Sequence, residues 1–290
     1  MQHLFTSTNN KKKLRMPLPS IKAQTAVDFE GVVYYRTRSI LLLAPSLVIG
    51  PGDKTHKRNS IRLLLGGRGP VQLDFENADA VSGRALLVAA DSGLCSIDGP
   101  LADVALLDYA PASAEYAALD NYLGGRSVVQ LDAELFADLL PQCRAGQDGS
   151  MSCDQVLTLL QTAVFRITGT EIPPLEYDPR IVKALQMIEE LPLADISLEV
   201  LSKAVNLSPD RFRHLFKETT ACTVSQYARQ TALWRALNLI TQQDYTITAA
   251  SHALGFHDVS HFYRVYSDMF GISLSERSNP RKFKRVRCFS

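Results

Sequence analysis

The stretch LGFHDVSHFYRVYSDMFG, residues 254–271, contains two histidines four residues apart, His257 and His261. On a helix this spacing places both imidazoles on one face, as in many metal-binding helices. A metal site would need a third ligand, and no such residue is evident near the pair. The aromatic residues and Arg264 favour a different interpretation, in which one helix face packs inward and the other recognises a partner. No metal site is therefore predicted.

The elements that would hold this stretch are short helices between residues 178 and 278. Capping residues and helix-starting prolines indicate where each helix begins. The starts are Asp178-Pro179, Ser197, Ser208-Pro209, Thr223 with Gln226, Thr246 or Thr248, Asp258, and Ser273 with Glu276. The fourth helix, which runs to about Thr241, is the longest. These signals predict a compact all-α domain of seven helices.

Two segments of this region follow one pattern, SKAVNLSPDRFRHLF (202–216) and ASHALGFHDVSHFYRVY (250–266). Each has small and apolar residues, then a tight turn near Asn206 or Gly255, then bulky residues four apart. Val205 of the first segment corresponds to Ala253 of the second, and the second turn region is two residues longer. Helix, tight turn and helix with a buried seam is the helix-turn-helix pattern.

The outward faces of the two second helices carry side chains that bond to nucleic acid. Arginine pairs with guanine edges, while serine, histidine and tyrosine bond to bases or phosphates. The first face consists of Asp210, Arg211, Arg213, His214 and Lys217, and the second of Ser260, His261, Tyr263 and Arg264. Residues from 207 onward also carry more Lys and Arg than Asp and Glu, which suits a polyanionic partner.

Residues 178–278 resemble the DNA-binding domain of the AraC/XylS family of bacterial transcription regulators. The second motif of that family is matched by Ala250, Gly255-Phe256, Asp258, Ser260, Phe262, Arg264, Tyr266 and Gly271. The first motif and the long helix are matched by Leu207-Ser208, Phe212, Leu215-Phe216-Lys217, Tyr227 and Ala236. The chain departs from the family pattern at Ala221, where glycine is usual, at Ala232, where arginine is usual, and in the closing motif at Leu274 and Arg277-Ser278.

The resemblance implies a sequence-specific transcription regulator, more an activator than a repressor, and not an enzyme. Both second helices would enter successive major grooves of double-stranded DNA. Base-facing positions would be Asp210, Arg213, His214, Val259, Ser260, His261, Tyr263 and Arg264. The expected further partner is RNA polymerase, the expected location is the cytoplasm at the bacterial nucleoid, and no cofactor is expected. Asp210 could accept a bond from a cytosine amino group, or it could be a first-turn residue that the helix dipole favours.

An α+β chain is expected, because residues 21–169 show short apolar runs typical of a β-rich barrel or jelly roll, followed by helices. GGRGP (66–70) and NADAVSG (77–83) are predicted as hairpin turns. Residues 1–20 are expected to be disordered, 170–177 to form a linker, and 279–290 a basic tail that is either a solubilising segment or lies on phosphates. This N-terminal domain would sense an unidentified small-molecule or protein effector; alternatively, it only dimerises or binds a partner protein.

The helix predicted over 152–168 bears an apolar stripe formed by Val156, Leu160, Ala163 and Ile167. The stripe suits packing against a partner helix, and the resemblance to the family implies that this helix forms a homodimer contact; the alternative is packing on its own β-rich domain.

Several other classes of protein are disfavoured by missing residues. Five cysteines, an odd number without a CxxC pair, predict reduced thiols. Residues 1–177 contain only two histidines, too few for a metal-dependent barrel enzyme, and GGRGP lacks the Lys-Ser/Thr of a phosphate loop. A DNA-alkylation repair protein would need a four-cysteine zinc site and an acceptor cysteine with histidine. No apolar run approaches the roughly 18 residues of a membrane span.

Overall fold

The computed structural model describes residues 31–36, 38–50, 59–172, 177–243, 245–270 and 283–288. Its N-terminal part is β-rich with accompanying helices and its C-terminal part is helical, which confirms the α+β expectation. The predicted disordered start, residues 173–176 of the predicted linker and the seventh helix near Ser273 lie outside the described residues. None of the described helices is long and apolar enough to cross a membrane.

The β-rich domain consists of two sheets that share one apolar interior. The strands are β1 (Gly31–Arg36), β2 (Ser39–Ala44), β3 (Leu47–Ile49), β4 (Ile61–Gly66), β5 (Val71–Phe75), β6 (Val81–Gly83), β7 (Ala85–Val88), β8 (Leu94–Gly99), β9 (Val104–Tyr109), β10 (Val128–Gln130) and β11 (Phe283–Arg287). The larger sheet has the order β10-β7-β4-β9-β2-β1-β11 and the smaller one β3-β8-β5-β6. Within the described residues both sheets are open, so the β domain is jelly-roll-like and not a closed barrel.

Turn residues move the chain from one sheet to the other. Pro45 separates β2 from β3, and a proline cannot donate to a strand ladder. GGRGP, predicted as a hairpin turn, instead connects β4 of the larger sheet with β5 of the smaller one. NADAVSG does form a hairpin, in which β5 pairs with the short β6 and not with β7. Local turn signals thus located the chain reversals but not the sheet that each strand joins.

Three helices cover the outer face of the larger sheet. They are α1 (Ala114–Leu123), α2 (Leu140–Ala145) and α3 (Cys153–Thr168). Helix α3 begins at a Ser152–Gln155 capping box and ends at Gly169, as its sequence predicts. Its apolar stripe is fully occupied, because Val156, Leu160, Ala163 and Ile167 pack against the sheet. The stripe that was assigned to a homodimer contact therefore belongs to the core of its own domain.

The C-terminal domain contains the helices α4 (Pro179–Glu190), α5 (Leu198–Ala204), α6 (Pro209–Thr220), α7 (Val224–Gln242), α8 (Ile247–Ala253) and α9 (Val259–Phe270). The predicted caps are present: Asp178, Ser197, Ser208, Thr223 and Thr246 each accept a bond from a first-turn backbone N–H. Short polar side chains at these positions satisfy amides that the helix itself leaves unpaired. The start positions of these helices were therefore readable from single residues.

The basic tail is not a free segment. Its strand β11 pairs in parallel with β1 at the edge of the larger sheet. Cys288, which follows β11, forms a disulfide with Cys153 at the start of α3. The expectation that all five cysteines are reduced was therefore wrong for this pair, because a partner 135 residues away in sequence is brought alongside only by the strand pairing. Cys95, Cys143 and Cys222 are free thiols.

Ala221 terminates α6 in a left-handed conformation with φ of 60°. A left-handed backbone costs a residue with a Cβ roughly 1–2 kcal/mol. Substitution by glycine removes that cost but adds about 0.4–1 kcal/mol of unfolded-state entropy. We expect Ala221→Gly to raise the free energy of unfolding by up to about 1 kcal/mol in urea titrations.

The matched control is Ala253→Gly, at an exposed alanine in the last turn of α8. Because Ala253 is helical, glycine there should lower the free energy of unfolding by about 0.5–1 kcal/mol. Equal destabilisation by both glycines would show that Ala221 is not strained.

Candidate nucleic-acid interface

The two helix-turn-helix motifs, α5–α6 and α8–α9, have the same turn geometry. Each turn contains one residue with positive φ, Asn206 at 57° and Gly255 at 76°. The following residue donates its backbone N–H to the carbonyl of a buried serine, Leu207 to Ser202 at 2.9 Å and Phe256 to Ser251 at 3.0 Å. The repeat seen in the sequence is therefore a repeat in three dimensions.

The second motif is one residue longer between its turn and its second helix. Asn206 and Gly255 correspond, whereas the helix caps that follow them are Ser208 and Asp258. The sequence alignment that predicted two extra residues was wrong by one, because Val205 corresponds to Leu254 and not to Ala253. Both apolar residues are buried, at 5% and 3% exposure.

Gly255 is required by close packing as well as by its positive φ. A Cβ at this position would lie 2.8 Å from the backbone nitrogen of Ala194 and 2.9 Å from that of Leu193. The Leu193 amide donates to the carbonyl of Leu254 at 2.8 Å, which fixes the same approach. The segment between α4 and α5 therefore rests directly on the second turn and joins the two motifs.

Helix α6 exposes the five side chains that the sequence places on its outer face. Asp210, Arg211, Arg213, His214 and Lys217 are all exposed, while Phe212 and Phe216 are fully buried. Asp210 forms an exposed ion pair with Arg213, with 3.1 Å between its Oδ1 and Nη2 of the arginine. An exposed pair of this kind is weak, so either partner can exchange it for a contact with DNA. The surface of α6 is thus polar, mostly basic and separate from its packed side.

Helix α9 exposes only part of its expected face. Ser260, Tyr263 and Arg264 are exposed, with Tyr263 at 40%. Val259 and His261 are half-buried, and the His261 ring packs edge-on against Phe256 with 5.6 Å between ring centroids. The inward side consists of Phe262, Val265 and Tyr266. His261 therefore supports the helix from its flank, whereas Ser260, Tyr263 and Arg264 point outward.

Asp258 caps α9 and also contacts the ring of His257. Its carboxylate accepts the backbone N–H of His261 at 2.5 Å and lies 3.0 Å from Nδ1 of His257. The bond with His257 and the bond from the His261 amide hold the pKa of Asp258 below its ordinary value. His257 is thus engaged in capping, and no group of three metal-ligating side chains occurs anywhere in the described ranges.

Arg229 on α7 is a basic residue that sequence reasoning missed. Burial lowers the pKa of His261, and the neighbouring charges of Arg264 and Arg229 lower it further. Arg229 is exposed and is held on its own helix by a bond from Nε to the Ser225 carbonyl at 3.1 Å. A basic residue near the start of a long helix is common, so no sequence signal singled it out. The positive surface around α9 therefore includes one residue of α7.

The long helix α7 connects both motifs and also contacts the β domain. Its first half packs into the core of the first motif through Tyr227 and Ala228, and its second half packs into the core of the second through Leu233 and Ala236. Ala232, where the related family has arginine, is buried at 2% exposure and belongs to this packing. Helices α6 and α9 therefore both pack against one long helix.

Comparisons with known proteins agree with this geometry. A family profile described as a helix-turn-helix domain matches residues 201–279. The chain is 32% identical over 149 residues to the arabinose operon regulatory protein of Escherichia coli, which covers 49% of this chain and 50% of that protein. It is 26% identical over 114 residues to the regulatory protein PocR of Salmonella typhimurium, covering 37% of this chain and 38% of that protein. The chain thus spans about half the length, or less, of these relatives.

The helical domain thus matches this helix-turn-helix profile, and its relatives support the resemblance to the AraC/XylS family. The whole fold also resembles the crystal structure of ToxT from Vibrio cholerae O395, with a TM-score of 0.50 and 13% identity over 83% of this chain and 97% of that one. This similarity supports the order of a β-rich domain followed by a helical domain. It concerns the fold alone, since the two sequences are so different.

The protonation of His261 should affect the stability of the helical domain. An unfolded chain binds a proton at the ordinary histidine pKa of about 6.5, whereas native His261 binds it only at lower pH. Between these two values the unfolded state holds more protons, so stability falls as the pH falls. We expect the decrease in the free energy of unfolding from about pH 7.5 to about pH 5.5 to be smaller in His261→Gln than in the wild type.

Urea unfolding of both proteins at the two pH values measures this difference. His214→Gln serves as the control, because His214 is exposed on α6. An equal decrease in wild type and His261→Gln would contradict the placement of His261 against Phe256.

Proposed function

We propose that this protein is a sequence-specific, DNA-binding transcription regulator whose helices α6 and α9 enter two successive major grooves. The observation that carries the proposal is the repeated motif with a buried inner side and an exposed polar outer side on each second helix. A recognition helix needs both properties, since the packed side fixes its angle while the outer side contacts base edges. The similarity to two bacterial regulatory proteins supports the same function.

The length of α7 suits this arrangement. Its 19 residues span roughly 28 Å at 1.5 Å per residue. Major grooves one turn apart on one face of DNA are separated by roughly 34 Å. A rigid helix of this length, with one motif at each end, places α6 and α9 at about the required separation.

The exposed side chains divide by chemistry into two groups. Arg213 and Arg264 can each pair with a guanine, and Ser260 can bond to bases of either kind. Lys217 on α6 and Arg229 on α7 are exposed cations and are suited to phosphates. Asp210 and Arg213 form an ion pair with each other. Breaking this pair would free both side chains to contact bases.

Control through the N-terminal domain is part of the proposal, and the contacts between the domains support it. Trp234 of α7 packs edge-on against Tyr35 of β1, with ring centroids 5.6 Å apart. Arg38 pairs with Glu189 at 3.2 Å and donates to the Tyr227 hydroxyl. An effector that favours one arrangement of this interface would change the placement of α7, and with it the placement of the two reading helices, α6 and α9.

A cleft of about 290 Å³ lies within the same interface. Its walls come from both domains, and the residues are Arg38, Ala110, Pro111, Glu189, Tyr227, Gln230, Thr231, Trp234 and Arg235. A small molecule bound there would touch the β domain and α7 together. The alternative is a regulator whose N-terminal domain only dimerises or binds a protein. A small-molecule sensor should have a higher melting temperature with its effector, whereas the alternative predicts that no small molecule raises it.

The remaining parts of the proposal are activation of transcription, contact with RNA polymerase, a cytoplasmic location and a homodimer formed by the N-terminal domain. They rest on the resemblance to the family. Because the apolar stripe of α3 is buried, a dimer contact through α3 has to use its outer side, where Phe165 is 45% exposed. This side is the part of α3 that a second copy can reach.

Arg264→Ala should weaken binding to a selected DNA site by about 1–3 kcal/mol if Arg264 contacts a base. The loss should be specific to one position of the site, because a base contact carries sequence information and a phosphate contact does not. Fluorescence anisotropy with sites selected from a random-sequence duplex library measures both effects.

Arg166→Ala is the matched control. Arg166 lies on α3 of the β domain in an exposed ion pair with Asp138, so its removal changes the net charge equally. Affinity should be unchanged in this variant. Full affinity in Arg264→Ala, or an equal loss in Arg166→Ala, would rule out a reading role for Arg264.

A further inference from the structure

The C-terminal strand β11 holds the far end of the chain on the N-terminal domain. It pairs with β1 over five residues, from Gly31 with Phe283 to Tyr35 with Arg287. The backbone N–H of Cys288 donates to the Tyr35 carbonyl at 2.8 Å and extends the pairing by one bond. Helix α9 is therefore flanked in the chain by two elements that contact the β domain, α7 before it and β11 after it.

Side chains of the strand alternate as its pairing requires. Val286 and Cys288 face the apolar layer between the larger sheet and its helices. Lys284, on the same side, donates from Nζ to the Asp148 carbonyl at 2.6 Å. Two further basic residues, Arg285 and Arg287, lie on the opposite side. Strand β11 is therefore basic, as edge strands often are, and Cys288 follows it directly.

Cys153 and Cys288 meet at this edge. Their Cα atoms are 4.9 Å apart, within the range of about 4.4–6.8 Å that a disulfide needs. Cys153 is half-buried and is the first residue of α3, where the positive end of the helix dipole favours a thiolate. Cys288 is only 6% exposed. An external oxidant therefore reaches Cys153 first, and Cys288 is placed to complete the bond.

The other cysteines are less suited to oxidation. Burial raises the pKa of the Cys143 thiol to about 12 and that of Cys222 to about 11. Burial and the nearby carboxylates of Glu76 and Asp74 also raise the pKa of Cys95. Because the thiolate is the reactive form, the pair at the sheet edge is the favoured site.

We propose that Cys153 and Cys288 are a reversible redox site that fastens the C-terminal strand to the β domain and thereby lowers the affinity of the protein for DNA. In the oxidised form α9 is tied to the β domain through β11 as well as through α7. In the reduced form the strand is held by five residue pairs at an open edge, which are weak on their own. The helical domain can then shift so that α6 and α9 both align with the DNA grooves. This effect on DNA rests on the proposed function.

The chemical step balances with a small-molecule disulfide such as oxidised glutathione. The Cys153 thiolate attacks one glutathione sulfur, forms a mixed disulfide and releases one glutathione thiolate. The Cys288 thiolate then attacks the Cys153 sulfur and releases the second. The two cysteines lose two electrons and two protons, and one glutathione disulfide becomes two glutathione thiols.

The first test concerns the cross-link and does not involve DNA. The full chain is incubated with dithiothreitol or with oxidised glutathione and digested with trypsin. Mass spectrometry should detect a peptide linking Cys153 to Cys288 only after oxidation, and cleavage at Lys284 and Arg285 should become at least about ten-fold slower. Cys288→Ser should lose both effects, whereas Cys95→Ser should retain them. Absence of the linked peptide, or equal cleavage rates in both forms, would overturn the redox site.

The second test concerns DNA. Sites are selected by the reduced protein from a random-sequence duplex library, and affinity is then measured in both redox forms. Oxidation should weaken binding at least about five-fold in the wild type and leave Cys288→Ser unchanged. An unchanged affinity in cross-linked wild type would refute the effect on DNA while the proposed function stands. Failure of the reduced protein to select any sequence would refute the proposed function together with the effect on DNA, and the first test alone would still decide the cross-link.

Discussion

The packing of helix α7 is the constraint on which the rest of the structure depends. A solvent-exposed helix has one apolar stripe, but α7 is buried on several sides, by the first motif, by the second motif and by the β domain. Leu233 and Ala236 are fully buried, and Trp234, the only tryptophan of the chain, contacts Tyr35 of β1. The core of the second motif is continuous with the interior of the β domain. A shift of α7 must therefore change the packing of both.

With α7 in place, two further conditions determine the positions of α6 and α9. Each turn needs one residue in the left-handed conformation, which is Asn206 in the first motif and Gly255 in the second. Each turn must also be tight enough for the next backbone N–H to reach the carbonyl of a buried serine. The cap of the second helix then sets its first turn, Ser208 in one motif and Asp258 in the other. Small, local interactions thus transmit the position of α7 to α6 and α9.

Much of the helical domain could be predicted from the sequence, because helix starts depend on residues that are adjacent or three apart in the chain. Thr223 with Gln226 and Asp178 with Pro179 are signals of this kind, and the structure contains both caps. The outer side of α6 was also readable, since it is the complement of Phe212 and Phe216. The placement of the ten proposed DNA contacts on bases or phosphates stays a prediction.

Long-range packing could not be read in the same way. An apolar stripe on α3 is the same pattern whether a sheet or a second copy covers it, and here the sheet of the same chain covers it. The tail has the composition of a solvated segment, yet backbone bonds to β1 and the contact of Cys153 with Cys288 place it at a sheet edge. The half-buried position of His261 depends on Phe256 in the preceding turn, which helix periodicity alone does not reveal.

Hydroxyl-radical footprinting of the full chain on a selected DNA site tests the central claim most directly. Two reading helices at the ends of α7 should protect two patches of the backbone about one helical turn apart, on one face of the duplex. Substitutions on α6 should remove one patch and substitutions on α9 the other. A single protected patch that responds to both sets of substitutions would contradict the account.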